Sequence, residues 1–270
     1  MGKKNELEGQ IALVTGAAGG IGLSFCRELA SRGCSLVMAD ISAERLQDSA
    51  AGIIRDFPAV RCFTCTIDLT SDDVVERIDR WCRDNGVRPD ILINNAGIFA
   101  FAPVTDIPER KIECFIDLHV RAVTLLSRWM AGLHADGSPA RILNMSSMSC
   151  WMPMPGLSMY AATKAYIRAF TRSLHYELRD SSVRVMAACP GGIATDLFGL
   201  PDNLKRLAVR IGAIDTPERF ARKAVSRLMK GKMQYINGLL NRISILAVGV
   251  TPTPVRMMVK HRLLDRGITR

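Results

Sequence analysis

Short apolar runs of strand length alternate along this chain with longer amphipathic stretches. The runs are QIALVTG, CSLVMAD, VRCFTCTID, DILINNAG, RILNMSS and VRVMAACPGG, with QYING as a weaker seventh. Most are apolar on both faces, the pattern of parallel strands covered by helices on each side. Between them, apolar residues recur at helical spacing over 21–32, 43–57, 71–85, 108–134, 158–180 and 217–230. This rhythm predicts an α/β fold: a single doubly wound Rossmann-type domain around a central parallel sheet of about seven strands. Ligands in such a sheet bind off the carboxyl ends of the strands. No internal repeat, low-complexity segment or linker breaks the pattern, so residues 1–238 are read as one domain.

The last stretch is different. Residues 239–250 are apolar except for Asn241, Arg242 and Ser244, TPTP then interrupts, and a basic segment fills 255–270. Twelve apolar residues cannot span a bilayer, which needs about 20. Two readings of 239–270 stay open: a tail packed on the domain or a subunit interface, and a peripheral membrane contact helped by Arg256, Lys260, His261 and Arg262.

Composition adds little beyond class. With 48% hydrophobic and 23% charged residues the chain is globular rather than disordered. The formal net charge is +10, but the basic residues are scattered and no aromatic pattern interleaves them, which argues against nucleic acid. No apolar run follows the early lysines as it would in a secretory signal, and eight cysteines suit a reducing compartment, so a cytoplasmic protein is expected. Cys62 and Cys65 have redox-motif spacing, yet they lie in a strand-like alternation and read as structural thiols. Nothing in the pattern asks for a metal.

The first candidate chemistry follows the first strand, where Thr15 and Gly16 open the pattern TGxxxGxG through Ala18, Gly20, Ile21 and Gly22. Glycine lets backbone approach a pyrophosphate, and the start of the next helix offers unpaired N–H groups and a favourable dipole. Asp40 closes the second strand, where a carboxylate meets the adenosine ribose and repels a 2'-phosphate. Neither Ala18 nor Ser42 supplies a cation for that phosphate, and Arg45 is expected to face solvent, so NAD is preferred over NADP.

Tyr160 and Lys164 stand four apart in a helical pattern and share one face. Ser147 lies thirteen residues earlier, at the end of a predicted strand. An unperturbed phenol has a pKa of about 10, so a general acid/base near neutrality needs its phenolate stabilised by about 4 kcal/mol. An ammonium about 4 Å away supplies roughly that at an effective dielectric near 20, before its own desolvation.

With TGAAGGIG, Asp68 in IDL, NNAG from Asn94 to Gly97, Ser147, the YxxxK of Tyr160 and Lys164, and PGGIAT from Pro190 to Thr195, residues 8–236 resemble the short-chain dehydrogenase/reductase family. That resemblance implies an NAD(P)-dependent oxidoreductase, with Tyr160 as acid/base, Lys164 beside it and on the ribose, and Ser147 on the substrate oxygen. It also implies that Asp68, Leu69, Asn95, Ala96 and Gly97 line the adenine and ribose side, while Pro190, Gly191, Ile193 and Thr195 reach the nicotinamide end. Many relatives carry an asparagine where LHVRAVTLL has His119; by that resemblance the position helps hold a water in the proton relay, and with histidine two readings stay open, a relay with altered pH dependence and a relay that is lost. A homodimer or homotetramer through 108–134 and 158–180 is implied in the same way.

Between Ser147 and Tyr160, the residues Met148, Trp151, Met152, Met154 and Leu157 predict a soft apolar wall, with Gly192 also at the substrate and a lid over about 196–214 carrying Phe198 and Leu200. The expected substrate is therefore a small lipophilic secondary alcohol or its ketone, hydroxysteroid or fatty acyl-like. Two alternatives stand beside it: a 3-oxoacyl thioester reductase, which the QYINGLLNRIS ending disfavours, and a catalytically idle dinucleotide-binding regulator.

Overall fold

Strand β1 (Ile11–Thr15) is buried at all five positions. A strand with no solvent face must be covered on both sides. In the computed structural model, which describes residues 6–193, 214–238, 241–242, 245 and 251–264, β1 is joined by β2 (Ser35–Asp40), β3 (Cys62–Thr66), β4 (Ile91–Asn94), β5 (Ala140–Met145), β6 (Val183–Ala188) and β7 (Gln234–Tyr235). All pair in parallel in the order β3-β2-β1-β4-β5-β6-β7. The winding reverses between β1 and β4, and the crevice above that point is where a doubly wound sheet takes its ligand.

Side-chain alternation divides the core in two. Ala12 and Val14 face one cluster with Phe25 and Phe220, and Ile11 and Leu13 face the other with Ile78, Leu126 and Met130. Helices α1 (Gly20–Ala30) and α2 (Ala43–Asp56) cover the first face. α3 (Val74–Asp84), α5 (Val123–Leu133) and α6 (Ser158–Glu177) cover the second, and α4 (Glu109–Ile116) leads toward α5 and packs against α6. α7 (Pro217–Met229) returns to the first face, where Phe220 meets Phe25 edge to face at 6.2 Å. A short helix, α8 (Thr253–Val259), follows Pro252.

The predicted elements are present, with three differences. The segment 108–134 is two helices joined by a π-helical turn over Asp117–Ala122. α3 begins at Val74 rather than 71 because Asp68 organises the preceding turn, accepting the N–H and hydroxyl of Thr70 at 2.8 and 2.7 Å. α8 had no periodic signal to announce it. Cys62 and Cys65 both sit on β3, Cys65 buried with its thiol pushed up to about 11 by desolvation, so neither is poised for exchange. Among the described residues no helix is long and apolar enough to cross a membrane.

A buried polar cluster ties helices to sheet just beneath the crevice. Asn94 on β4 donates to Asn144 Oδ1 on β5 at 2.8 Å, and Asn144 donates to Thr171 Oγ1 on α6 at 3.0 Å. Ser127 on α5 completes the set with Asn144. A fully satisfied network in low dielectric fixes one arrangement of its members. Here that arrangement sets the height of α6 against the end of β5. Asn144→Ala takes the shared acceptor from Asn94 and Ser127, leaving only the 3.3 Å bond between those two, and is expected to cost about 2–4 kcal/mol in urea unfolding. A loss below about 0.5 kcal/mol, the range of ordinary surface changes, would show that the network contributes no stability.

Candidate active site

The glycine turn after β1 is a place where side chains do not fit. Gly16 has φ 64°, and a Cβ there would sit 2.9 Å from Ala96 Cα. A Cβ on Gly22 would lie 1.9 Å from Gly16 O. α1 therefore begins hard against the loop, with no side-chain cap and no acidic residue in its first turn. Its leading N–H groups, those of Gly20, Ile21 and Gly22, face outward as an anion cradle. Asn95 closes the other side, donating its side-chain amide to Thr15 O at 3.0 Å.

Asp40 holds this loop from the end of β2. Its Oδ2 accepts the Ala18 N–H at 3.0 Å and its Oδ1 the Ser42 N–H at 3.1 Å. Ala18 thus acts through its backbone. Asp40 borders a cavity of about 500 Å³ that also includes Gly16, Asp68, Leu69, Ala96 and Gly97, all expected at the cofactor. Ile41, Ile67, Ile98, Cys114 and Leu118 line it too and went unforeseen. Ile41 is 68% exposed just after the acidic strand end, an apolar residue with no core to fill. The Asp68 carboxyl is held below its usual range by the backbone N–H and then the hydroxyl of Thr70. Asn94, by contrast, turns into the buried polar network and away from this cavity. The dimensions and chemistry suit an adenosine diphosphate moiety: apolar walls for the base, a carboxylate at the ribose and a helix start for the phosphates.

A second, smaller cleft continues from the first through Gly97 and Ile98. It brings together Ile21, Ser147, Tyr160, Lys164, Pro190 and Gly191, with Ile193 at its edge. β5 ends at Met145, so Ser147 falls just past its carboxyl end and accepts the Ser149 N–H at 3.1 Å. The start of α6 carries Tyr160 and Lys164 on its inner face, both buried. Ser146 Oγ donates to Lys164 O at 2.7 Å and fixes the helix to the strand end. Lys164 Nζ donates to Met145 O at 3.0 Å and stands 5.7 Å from the Tyr160 ring centre. Gly97 makes room: a Cβ there would sit 3.4 Å from Nζ and 2.8 Å from His119 Nε2.

Burial governs the charges. Desolvation lowers Lys164 from 10.5 to about 7. It raises the Tyr160 phenol, against a smaller downward pull from Ser147. Among the protein's own groups, Lys164 therefore does not acidify Tyr160 as the spacing suggested, because the ammonium loses its own charge to the same dry surroundings.

His119 belongs to the π-helical turn and is fully buried. Its Nε2 accepts the Ile98 N–H at 3.1 Å, and its Nδ1 meets Thr163 Oγ1 at 3.0 Å. The Thr163 hydroxyl donates to Met159 O, so Nδ1 carries the proton. Desolvation, helped by Lys164, depresses the ring to about 2. A relay of altered pH dependence running through this imidazole does not fit a ring whose two nitrogens are committed and which stays neutral.

The expected substrate wall is only partly in place. Met148 and Trp151 bound a 3-10 turn, and Trp151 is covered by the Arg168 guanidinium at 4.3 Å. Neither these nor Met152, Met154, Leu157 and Gly192 line the smaller cleft. Gly192 instead accepts the Asp215 N–H at 2.9 Å. Thr195 and nearly all of the expected lid, with Phe198 and Leu200, lie outside the described residues. Sequence reasoning missed Asn237 and Asn241. Asn237 Oδ1 accepts the Gly191 N–H at 2.7 Å, and a Cβ on Gly191 would strike Asn241 at 2.3 Å.

A doubly wound parallel sheet with a glycine cradle and a Tyr/Lys pair at its switch point defines a dinucleotide-dependent oxidoreductase. The chain belongs to the short-chain dehydrogenase family, whose model, described as short chain dehydrogenase, matches residues 10–202. It is 34% identical over 194 residues to 1-deoxy-11-beta-hydroxypentalenate dehydrogenase of Streptomyces exfoliatus, covering 71% of this chain and 70% of that one. It is 30% identical over 238 residues to the very-long-chain 3-oxoacyl-CoA reductase of Homo sapiens, covering 86% and 72%. Among solved structures, a short-chain dehydrogenase from Sphingobium yanoikuyae in complex with NADPH superposes with a TM-score of 0.76 at 25% identity, covering 94% and 96%. A 7beta-hydroxysteroid dehydrogenase shares the fold with a TM-score of 0.81 at 24% identity, covering 93% and 96%.

Two predictions follow from these charges. Lys164 titrates near 7 in the folded chain and at 10.5 when unfolded, so between those values the unfolded state binds more protons. Its destabilising effect is therefore full below pH 7 and fades as pH rises to 10.5. Without dinucleotide, Lys164→Met is expected to be about 2 kcal/mol more stable than the parent at neutral pH, with the gap closing toward pH 10. A gap that widens with pH would contradict the assignment. Second, the His119 ring signals in a nuclear magnetic resonance titration are expected to stay flat between about pH 5 and 8. A midpoint inside that window would mean that the ring is solvated.

Proposed function

We propose that this oxidoreductase interconverts a hydrophobic secondary alcohol and its ketone, hydroxysteroid or fatty acyl-like, using NAD(P). The observation that carries the reading is the meeting of Ser147, Tyr160 and Lys164 in a dry cleft continuous with the dinucleotide cavity. In the oxidative direction the Tyr160 oxygen takes the hydroxyl proton of the substrate. Ser147 donates a hydrogen bond to the substrate oxygen and holds it as its charge changes. Lys164 keeps donors for ribose hydroxyls beyond the one spent on Met145 O. A nicotinamide held by Gly97, Lys164, Pro190 and Gly191 would supply the hydride acceptor and, in its oxidised form, a positive charge. Burial of Tyr160 and Lys164 limits water at the reacting carbon. His119 is a positioning residue here: it fastens the Ile98 backbone to α6 through Thr163.

Support for an apolar substrate comes from the relatives, one named for a hydroxypentalenate and one for a very-long-chain 3-oxoacyl thioester. Both names describe oxygen chemistry on a largely hydrocarbon skeleton. The C-terminal segment favours the same class, because Leu264 lies 3.0 Å from where a Gly156 Cβ would be, beside Phe101. That packing puts an apolar residue of the tail against the 148–157 segment.

The test is a nicotinamide absorbance assay with steroids, 3-oxoacyl thioesters and simple alcohols as substrates. Turnover is expected with at least one lipophilic member. Tyr160→Phe is expected to lower kcat/KM about 10³-fold, within the range of general acid/base contributions, with dinucleotide affinity kept. Firm dinucleotide binding with no turnover by the parent would favour the idle regulator, and robust turnover by the phenylalanine variant would refute the mechanism.

A further inference from the structure

A third hollow, of about 510 Å³, lies between α7 and the turn that follows β7, and it shares no lining residue with the dinucleotide cavity or the catalytic cleft. All the charged side chains that line it are cationic. Arg222, Lys223, Ser226 and Arg227 recur at helical spacing and present one face of α7 to it. Gly238, at φ 73°, turns the chain after β7, and Arg242 comes back against that turn with its Nε donating to Ile236 O at 3.3 Å. Among the described residues none of the four cations has an ion-pair partner, and the carboxylate of Asp215 is taken by Arg219 at 3.6 Å. Lys223 and Arg227 stand four apart, where like charges oppose helix stability, so folding does not account for the row.

Tyr235 forms the floor. It is 5% exposed, its ring packs on Phe220 at 5.4 Å, and its hydroxyl is buried without a hydrogen-bond partner. Such a group is costly and calls for an explanation. The phenol stands in the field of Asp215 on one hand and of Arg227, Arg242 and Arg219 on the other. Desolvation, and then Asp215, pushes it up to about 12, so it keeps its proton and can donate. Ser226 is a second neutral donor. Its Oγ accepts from Arg32 Nη2 at 2.8 Å, and its own hydrogen has no acceptor among the described residues. Arg32 is buried and paired with Glu28 on α1, which holds Ser226 in place from behind.

Four cations and two hydroxyl donors around one hollow match a compact anion with several oxygens. A phosphomonoester has three terminal oxygens and a charge near −2, and a guanidinium fork takes its oxygens in pairs. A carboxylate offers two oxygens and one charge. A second copy of this chain does not suit the surface, because an isologous contact would set like charges face to face. We propose that the hollow between α7 and the β7 turn binds a phosphomonoester group, with Arg222, Lys223, Arg227 and Arg242 on its oxygens and Tyr235 donating from the floor. The group is carried by a free phosphorylated metabolite or by a lipid headgroup.

Calorimetric titration of the purified chain with glycerol 3-phosphate, and with glycerol as the neutral control, reads the site directly. The parent is expected to bind the first and not the second. Arg227→Ala combined with Arg242→Ala is expected to weaken glycerol 3-phosphate about tenfold or more while keeping the unfolding midpoint, since both arginines are exposed. Tyr235→Phe leaves the ring on Phe220, and is expected to weaken binding about threefold or more with the ligand-free chain at least as stable as the parent. Flotation with phosphatidylcholine vesicles containing phosphatidate separates the two sources. Capture that the double variant loses, and that phosphatidylglycerol vesicles do not reproduce, assigns a lipid headgroup; glycerol 3-phosphate binding without capture assigns a free metabolite. Equal affinities in the parent and the double variant would put the phosphate elsewhere and overturn the proposal. Neither binding nor capture by the parent, or capture that follows vesicle charge alone, would overturn it as well.

Discussion

Burying the Lys164 ammonium is the constraint around which the rest of the cleft is arranged. An unpaired cation in dry protein is costly enough to drop its proton, and here the side chain falls to about 7, with no carboxylate acting on it among the described residues. What holds it is geometric: the Met145 carbonyl left over where β5 ends, and a helix fixed to that strand end by Ser146. The Asn94, Asn144, Ser127 and Thr171 cluster lies one layer below and keeps β4, β5, α5 and α6 in a single register. The same dryness raises the Tyr160 phenol. Both groups are displaced toward their uncharged forms, lysine downward and tyrosine upward, so the proton stays on the phenol oxygen. In such dry surroundings a positive charge placed beside the phenol acts on it more strongly than it would on a solvated group.

Much of the fold was legible because the strands are apolar on both faces. A run such as IALVT has no polar side to offer solvent, and six such runs separated by helical periods admit few arrangements. β7 was faint because only Gln234 and Tyr235 pair, and α8 because seven residues beside a proline do not establish a period. The site divides along the same line. Ser147, Tyr160, Lys164, Asp40 and the glycine loop were readable, since local spacing and strand ends place them. Asn237, Asn241 and Ile41 were not, because their importance comes from chain segments that meet only in three dimensions.

His119 shows how a departure in sequence can preserve an arrangement. The break in the helix at Asp117–Ala122 had no glycine or proline to signal it. It exists where the imidazole must reach Ile98 N–H with one nitrogen and Thr163 with the other. π-helical turns cost helical hydrogen-bond geometry and are kept mostly where a site needs them. A smaller side chain at 119 would leave the space between Phe115, Tyr160 and Gly97 underfilled, since the ring now packs edge-on to both aromatics at 5.5 and 6.2 Å. The histidine is therefore a spacer and a strap, and its titration chemistry is silenced by the burial that makes it useful.

The two ends of the cleft are governed by opposite use of solvent. At the catalytic end charge is squeezed out, and Lys164 and Tyr160 work because water is absent. At the adenosine end charge is displayed: Asp40 is braced by two backbone amides and Arg45 remains exposed with no ion-pair partner among the described residues. An exposed cation contributes little to folding, so its place beside Gly19 is not a stability feature. Charge at the rim therefore leaves the buried pair undisturbed, because the two regions share a backbone loop and no titratable side chain.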